Sequence, residues 1–148
     1  MKALIQRSKG AKVSVDGKTI GEIGEGIVVL LGITHEDTEK EADYLVQKIA
    51  NLRVFPGESG EFDTSALEGK KEILIVSQFT LYGSCKKGRR PDFNEAAAPE
   101  QADILYKIFV QKMRETGLKV ATGQFQATMQ VDLNNDGPVT LMLESKSS

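Results

Sequence analysis

Ile73-Leu-Ile-Val-Ser-Gln-Phe-Thr-Leu-Tyr82 decides how the chain is read. Ile73 to Val76 is a short apolar run rich in β-branched residues, the mark of a strand covered on both faces. It breaks into Ser77, Gln78 and Thr80 around an apolar Phe79, then resumes at Leu81. Polar side chains at the end of a core strand either turn to solvent or line a pocket. A second such place is Asn134-Asn-Asp-Gly-Pro-Val-Thr140, where a turn carries Gly137-Pro138 into another apolar run. The expectation is that the two stretches form one site held by the rest of the chain.

Outward from there, the first third reads as strands. Leu4-Ile5 opens one, and Val13-Ser-Val15 and Thr19-Ile20 flank Asp16-Gly17, a strong hairpin signal. Gly21, Gly24 and Gly26 punctuate the turn into Ile27 to Ile33, apolar enough for a central strand. Thr38 and Glu41 have capping-box spacing, and Ala42, Leu45, Ile49 and Leu52 share one helical face. Arg53-Val-Phe55 looks like a short strand ended by Pro56-Gly57, with a polar loop to about Leu67. After the Ile73 strand comes a polar loop from Gly83 to Asn94. Pro99 suits the first turn of a second helix, with Ala102, Leu105, Phe109 and Met113 inward and Gly117 as its stop. Two last strands, near Ala127 to Leu133 and Val139 to Leu143, are joined by the Asn-Asp-Gly turn. Strands interrupted by only two principal helices predict an α+β fold, mainly antiparallel, in a single domain over residues 1–148.

Bulk properties narrow the function. A chain of 148 residues, 40% hydrophobic and 27% charged, suits one soluble globular domain. No run approaches the roughly 18 apolar residues that span a bilayer, so no membrane partner is expected. The first residues lack the apolar core of a signal peptide, and Cys85, the single cysteine, can form no internal disulfide; both point to a reducing, cytoplasmic setting. A net charge of −2 does not advertise nucleic-acid binding, but charge acts locally. Lys86, Lys87, Arg89 and Arg90 put four positive charges in five residues. They are either a solvated surface loop or a contact for a phosphate backbone.

Conventional catalytic machinery is scarce. His35, the only histidine, sits in a polar stretch and reads as a solvated loop residue, and Cys85 reads as a loop thiol. No Walker or dinucleotide glycine pattern is present, and no cofactor is expected. Asp132-x-Asn134-x-Asp136-Gly137 begins like a calcium loop, but its twelfth position is Leu143, with Glu144 one residue late, and its flanks are strand-like, so no metal is expected. For Ser77, Gln78 and Thr80 two readings stay open. They satisfy neighbouring backbone groups at a strand end, or they belong to an oxyanion-stabilising site. Gly137-Pro138 is either a plain hairpin turn or a special corner, since X-Pro bonds alone have an appreciable cis population.

Ser77-Gln-Phe-Thr-Leu81 together with Asn135-Asp-Gly-Pro-Val-Thr140 closely resembles the two signature motifs of the D-aminoacyl-tRNA deacylase family. The likeness extends to Ala3-Leu-Ile-Gln-Arg7, Lys87-Gly-Arg-Arg-Pro91, and Thr122-Gly-x-Phe125 before Met129. Departures are Ser8-Lys9-Gly10, where a valine and a short basic and polar segment are usual, and Gln126, where a small residue is common. The resemblance implies hydrolysis of the ester joining a D-amino acid, or glycine, to the 3′-terminal adenosine of tRNA, with L-aminoacyl-tRNA spared. It implies a homodimer in which a cis Gly137-Pro138 reaches from one subunit into the other's pocket, beside Ser77, Gln78, Phe79 and Thr80. Arg7 matches a residue that pins that dipeptide, while Met129, Asn135 and Thr140 fall on the pocket or its support.

This fits the lack of acid–base residues. An aminoacyl ester is already activated, so positioning water and stabilising the oxyanion can supply much of the rate. The N–H groups around Phe79 and Thr80 are the expected donors, with the substrate's own 2′-hydroxyl assisting. A covalent role for Thr80 is the mechanistic rival, but no adjacent base is evident. Rival functions are a non-catalytic RNA-binding module using the basic loop, and a hydrolase of small D-amino-acid esters.

Overall fold

The computed structural model describes residues 1–145; residues 146–148 of the expected domain lie outside them. In chain order the elements are β1 (Lys2–Ser8), β2 (Ala11–Val15), β3 (Lys18–Ile23), β4 (Gly26–Gly32), α1 (Glu39–Asn51), β5 (Phe55–Gly57), β6 (Gly60–Thr64) and α2 (Ala66–Gly69). There follow β7 (Glu72–Ser77), a 3₁₀ turn (Phe79–Tyr82), α3 (Pro99–Glu115), β8 (Lys119–Thr122), β9 (Gln130–Leu133) and β10 (Thr140–Glu144). The fold is α+β and mostly antiparallel. A five-stranded sheet runs β10-β1-β4-β7-β8, a three-stranded sheet runs β3-β2-β9, and β5-β6 is a separate hairpin. The pairs β4-β7 and β7-β8 are parallel.

Strand β7 is apolar on both faces because both are covered. Ile73 and Ile75 join the cluster under α1 and α3, with Leu45, Ile49, Phe109 and Met113. Leu74 and Val76 face the other way, onto Val13 and Ile23 of the small sheet. Layers of helix, sheet and sheet result, each burying the apolar side of the next. The α1 capping box forms as its spacing predicts. The Thr38 N–H donates to Glu41 Oε1 at 2.6 Å, and the Lys40 N–H donates to the Thr38 hydroxyl at 3.3 Å. Helix α3 opens on Pro99, and Gly117, at φ +93°, follows its end.

Three local expectations are corrected, and one strand was not anticipated. Pro56-Gly57 does not end a strand; it lies inside β5, whose hairpin with β6 and the short α2 replace the expected loop. Gly21 is within β3 and not in a turn. Leu81 belongs to the 3₁₀ turn and does not resume a strand. Strand β8 had no sequence signal, its four residues holding only Val120 and Ala121 as an apolar pair.

The plain hairpin reading of Gly137-Pro138 also fails, for a topological reason. The chain leaves the large sheet after β1 and enters the small one at β2. It returns between β9, which pairs with β2, and β10, which pairs with β1. The two crossings lie side by side and are stitched together. Asn134 Oδ1 accepts the Lys9 N–H at 2.9 Å, and the Asp136 N–H donates to the Arg7 carbonyl at 2.8 Å.

Candidate active site

Strand β7 hydrogen-bonds to β4 up to Ser77, and the Gln78 N–H still reaches the Leu31 carbonyl at 2.8 Å. The backbone then tightens into the 3₁₀ turn. This needs Gly32 beneath it: a Cβ there would stand 3.0 Å from Leu81 Cβ and 3.2 Å from the Gln78 carbonyl. The Leu81 N–H takes the Gln78 carbonyl, and the Gly83 N–H the Thr80 carbonyl. At the start of the turn, the Phe79 and Thr80 N–H groups find no acceptor among the described residues, as the first donors of any helical turn lack partners within it. The Gln78 amide donates to the Thr80 hydroxyl, which holds that side chain beside the free donors.

On its other side β7 parts from β8. Their pairing ends at Ile75 and Thr122, where the Ile75 carbonyl accepts both the Gly123 N–H, at 3.2 Å, and the Tyr106 hydroxyl, at 2.9 Å. Burial pushes the Tyr106 phenol up to about 12, so it remains a donor at ordinary pH. Its ring leans on Phe125, centroids 5.9 Å apart. The parting opens a cavity of about 760 Å³. One wall is Ser77, Gln78 and Phe79; the others are the segment Ala96 to Pro99 with Phe93, and the segment Phe125 to Met129. Phe79 is 56% exposed at the mouth and meets Phe93 edge-on at 5.1 Å.

Ser77, Gln78, Phe79 and Met129 therefore share the cavity, whereas the Thr80 side chain is exposed beside it and does not line it. Gly137-Pro138 does not line this cavity, so the two stretches do not form one site within the chain. The dipeptide is cis, exposed, and pinned from behind. Arg7, buried in β1, donates from Nε to the Asp136 carbonyl at 2.9 Å and from a terminal nitrogen to the Val54 carbonyl at 2.8 Å. Asn135 Oδ1 accepts the Val139 N–H at 2.7 Å, and its amide donates to the Thr140 hydroxyl at 2.6 Å. Arg7, Asn135 and Thr140 thus brace the turn and are remote in role from the cavity wall.

Lys86, Lys87, Arg89 and Arg90 are exposed on a loop whose base is closed by paired Ser84 and Asp92 backbones, at 2.7 and 2.8 Å. None of the four forms an ion pair among the described residues. The closing strap leads directly to Phe93, which joins the charged loop to the cavity mouth. His35 is exposed and bonds through Nε2 to the Asn94 carbonyl at 2.6 Å, a tether on the cavity-lining segment. Sequence reasoning missed Phe93, Tyr106 and Phe125 as parts of the site. A lone aromatic within a polar loop was the available signal for Phe93; the Tyr106 contact had none. In the calcium-like stretch the Asp136 carboxylate and the Asn134 amide are engaged with Arg7, Lys9 and Gly10.

The family described as D-Tyr-tRNA(Tyr) deacylase matches residues 4–144. A curated D-aminoacyl-tRNA deacylase of Bacillus mycoides (strain KBAB4) is 56% identical over 146 residues, 99% of this chain and 100% of that protein. One from Bacillus thuringiensis (strain Al Hakam) is 55% identical over the same span. Among solved structures, a chain described as "c-Myc DNA Unwinding Element Binding Protein" superimposes with TM-score 0.93 at 49% identity, covering 99% of this chain and 100% of that one. Another, described as "a probable eukaryotic D-amino acid tRNA deacylase", has TM-score 0.86 at 19% identity over 97% and 98%, a likeness of fold. These matches place the chain among the hydrolases that act on aminoacyl-tRNA. It belongs to the D-Tyr-tRNA(Tyr) deacylase family.

Proposed function

We propose that the chain, acting as one domain in the cytoplasm, hydrolyses the ester between a D-amino acid, or glycine, and the 3′-terminal adenosine of tRNA, and rejects L-aminoacyl-tRNA. The observation that carries this reading is the pair of unpartnered N–H groups at Phe79 and Thr80 on the rim of an open cavity, in a chain of this family. Water adds to the ester carbonyl; the two N–H groups hold the oxyanion; the carbon–oxygen bond to the ribose breaks, and the leaving oxygen takes a proton, with the adjacent 2′-hydroxyl assisting. Preorganised donors of this kind are worth ~10²–10³ in rate. Ser77 and Gln78 supply polar contacts along the same wall, and Met129 lies opposite. Lys86, Lys87, Arg89 and Arg90, which form no ion pair among the described residues and sit on the loop that leads to Phe93, suit the phosphate backbone of the acceptor end.

Selection of handedness is assigned to Gly137-Pro138 of each subunit of a homodimer, entering the other subunit's cavity. Support comes from the dipeptide's exposure and its bracing by Arg7. The neighbouring sheet face also leaves apolar Leu4, Leu30 and Met142 side by side and incompletely covered. Discrimination by exclusion needs a rigid wall, since a yielding one would let the wrong side chain in.

Release of amino acid from tRNA charged with D- and with L-residues tests the reading. Fast release of D alone supports it, and equal release of both ends the claim of stereochemical selection. Binding of tRNA without cleavage, lost with Arg89 and Arg90, would make the chain a nucleic-acid-binding module instead. Cleavage of small D-esters but not of charged tRNA would make it a simpler esterase. Thr80→Ala is expected to keep substantial turnover, because no base stands by to activate its hydroxyl; a folded but inactive variant would make Thr80 the nucleophile.

A further inference from the structure

Asp16, Lys70 and Gln126 are the residues other than glycine that hold a positive φ among those described, at +50°, +52° and +63°. The first two have local reasons. Asp16 occupies a two-residue hairpin turn, where aspartate tolerates the left-handed region. Lys70 is the left-handed cap of α2, its N–H directed to the Ala66 and Leu67 carbonyls. Gln126 also sits in a turn, but its residue type does not suit the position. It stands third in a turn closed by the Ala127 N–H on the Gln124 carbonyl at 3.2 Å, where a positive φ calls for glycine. Strain of this sort persists where the surroundings hold it, and it gathers at binding sites.

The place of the strain is informative. Gln126 is exposed, yet it lines the cavity between Phe125 and Ala127. Glutamine amides that find partners among the described residues are those of Gln6, Gln78, Gln101 and Gln111, and that of Gln126 is not among them. The cavity lining there mixes apolar Phe125, Ala127 and Met129 with Thr128, and Ala97, Ala98 and Pro99 line the same space. Apolar side chains of this kind can cover the faces of a flat ring, while its edge needs polar partners. A primary amide sets a donor and an acceptor side by side, the arrangement that meets the N6 amino group and N7 of adenine together.

We propose that Gln126 is a specificity-determining residue whose side-chain amide reads the adenine edge of the terminal nucleotide; this rests on the function proposed above. Gln126→Gly removes the amide and relieves the backbone, so its melting temperature should equal or exceed that of the parent. On D-aminoacyl-tRNA its KM should rise roughly tenfold with kcat little changed, the size of one lost bidentate contact. The parent should show the same rise on tRNA ending in 7-deazaadenosine, which lacks the N7 acceptor, and the variant no further rise. An unchanged KM in the variant, or a rise that is repeated in full on the 7-deaza substrate, overturns the proposal. If the parent cleaves no charged tRNA, the functional reading falls instead. The contact is then judged by binding of adenosine against 7-deazaadenosine, where tighter adenosine binding lost in Gln126→Gly supports it and equal affinity overturns it.

Discussion

The two polar interruptions in this chain, Ser77–Tyr82 and Asn134–Thr140, look alike in sequence and are opposites in structure. At the first, a strand buried from Ile73 to Val76 ends by presenting main-chain donors that nothing among the described residues accepts. At the second, nearly every group is spoken for: Arg7, Asn135, Asp136, Val139 and Thr140 bond one another around an exposed dipeptide. Unspent hydrogen-bonding capacity marks where a ligand can be held, and saturated capacity marks a part that must not move. Neither is an accident of packing, because a donor left without a partner costs about 1–3 kcal/mol when buried. The first segment escapes that cost by lying at the mouth of a cavity.

The comparison breaks first if the second region proves dispensable. Arg7→Ala strips the turn of its brace and leaves the Asp136 and Val54 carbonyls unpaired. A loss of about 2–4 kcal/mol in urea unfolding is expected, with selectivity between D- and L-substrates falling more than D-turnover. Gly137→Ala strikes the same brace more gently. At φ +128° an alanine is strained, and its Cβ would stand 2.9 Å from an Arg7 nitrogen. About 1–3 kcal/mol should be lost, and L-aminoacyl-tRNA should begin to be cleaved; unchanged selectivity would remove the turn from the account of chirality.

The first region is tested from beneath and from behind. Gly32→Ala drives a methyl against Leu81 and the Gln78 carbonyl, so about 1–3 kcal/mol is expected from overpacking, with kcat lowered as the free N–H groups are displaced. Tyr106→Phe removes one of two donors to the Ile75 carbonyl, worth about 1 kcal/mol. The phenol also carries a pH signature. Its folded value lies above the ordinary tyrosine value of 10, so its contribution is whole below pH 10. It is lost as pH rises toward about 12, and the variant should lack that alkaline slope. Thr38→Ala should cost a similar amount, about 1 kcal/mol from the α1 cap, with activity unaffected. The Thr38 hydroxyl, with its N–H, holds Glu41 below the usual carboxylate range, so the cap's share is present above that range and fades as pH falls through the folded value.

Much of this was legible in the chain itself. The helix boundaries at Thr38 and Pro99 follow from capping and proline chemistry confined to a single turn. The Ile73–Val76 strand followed from an unbroken apolar run, and the family from two motifs long enough to be specific. Tyr106 was not legible, because a side chain's reach to a carbonyl 31 residues away leaves no trace in local pattern, and Phe93 showed only as a lone aromatic in a polar loop.

What the sequence determined alone is therefore whatever depends on neighbours along the chain: elements, caps, the hairpin at Asp16-Gly17, and the residues that carry the two motifs. Tertiary structure decided where those motifs stand. Asn134–Thr140 has the spacing of a hairpin, yet its flanking strands belong to different sheets, because β1 and β2 had already divided between them. Strand pairing is settled by which partners bury the most apolar surface together, and that sum is taken over the whole fold.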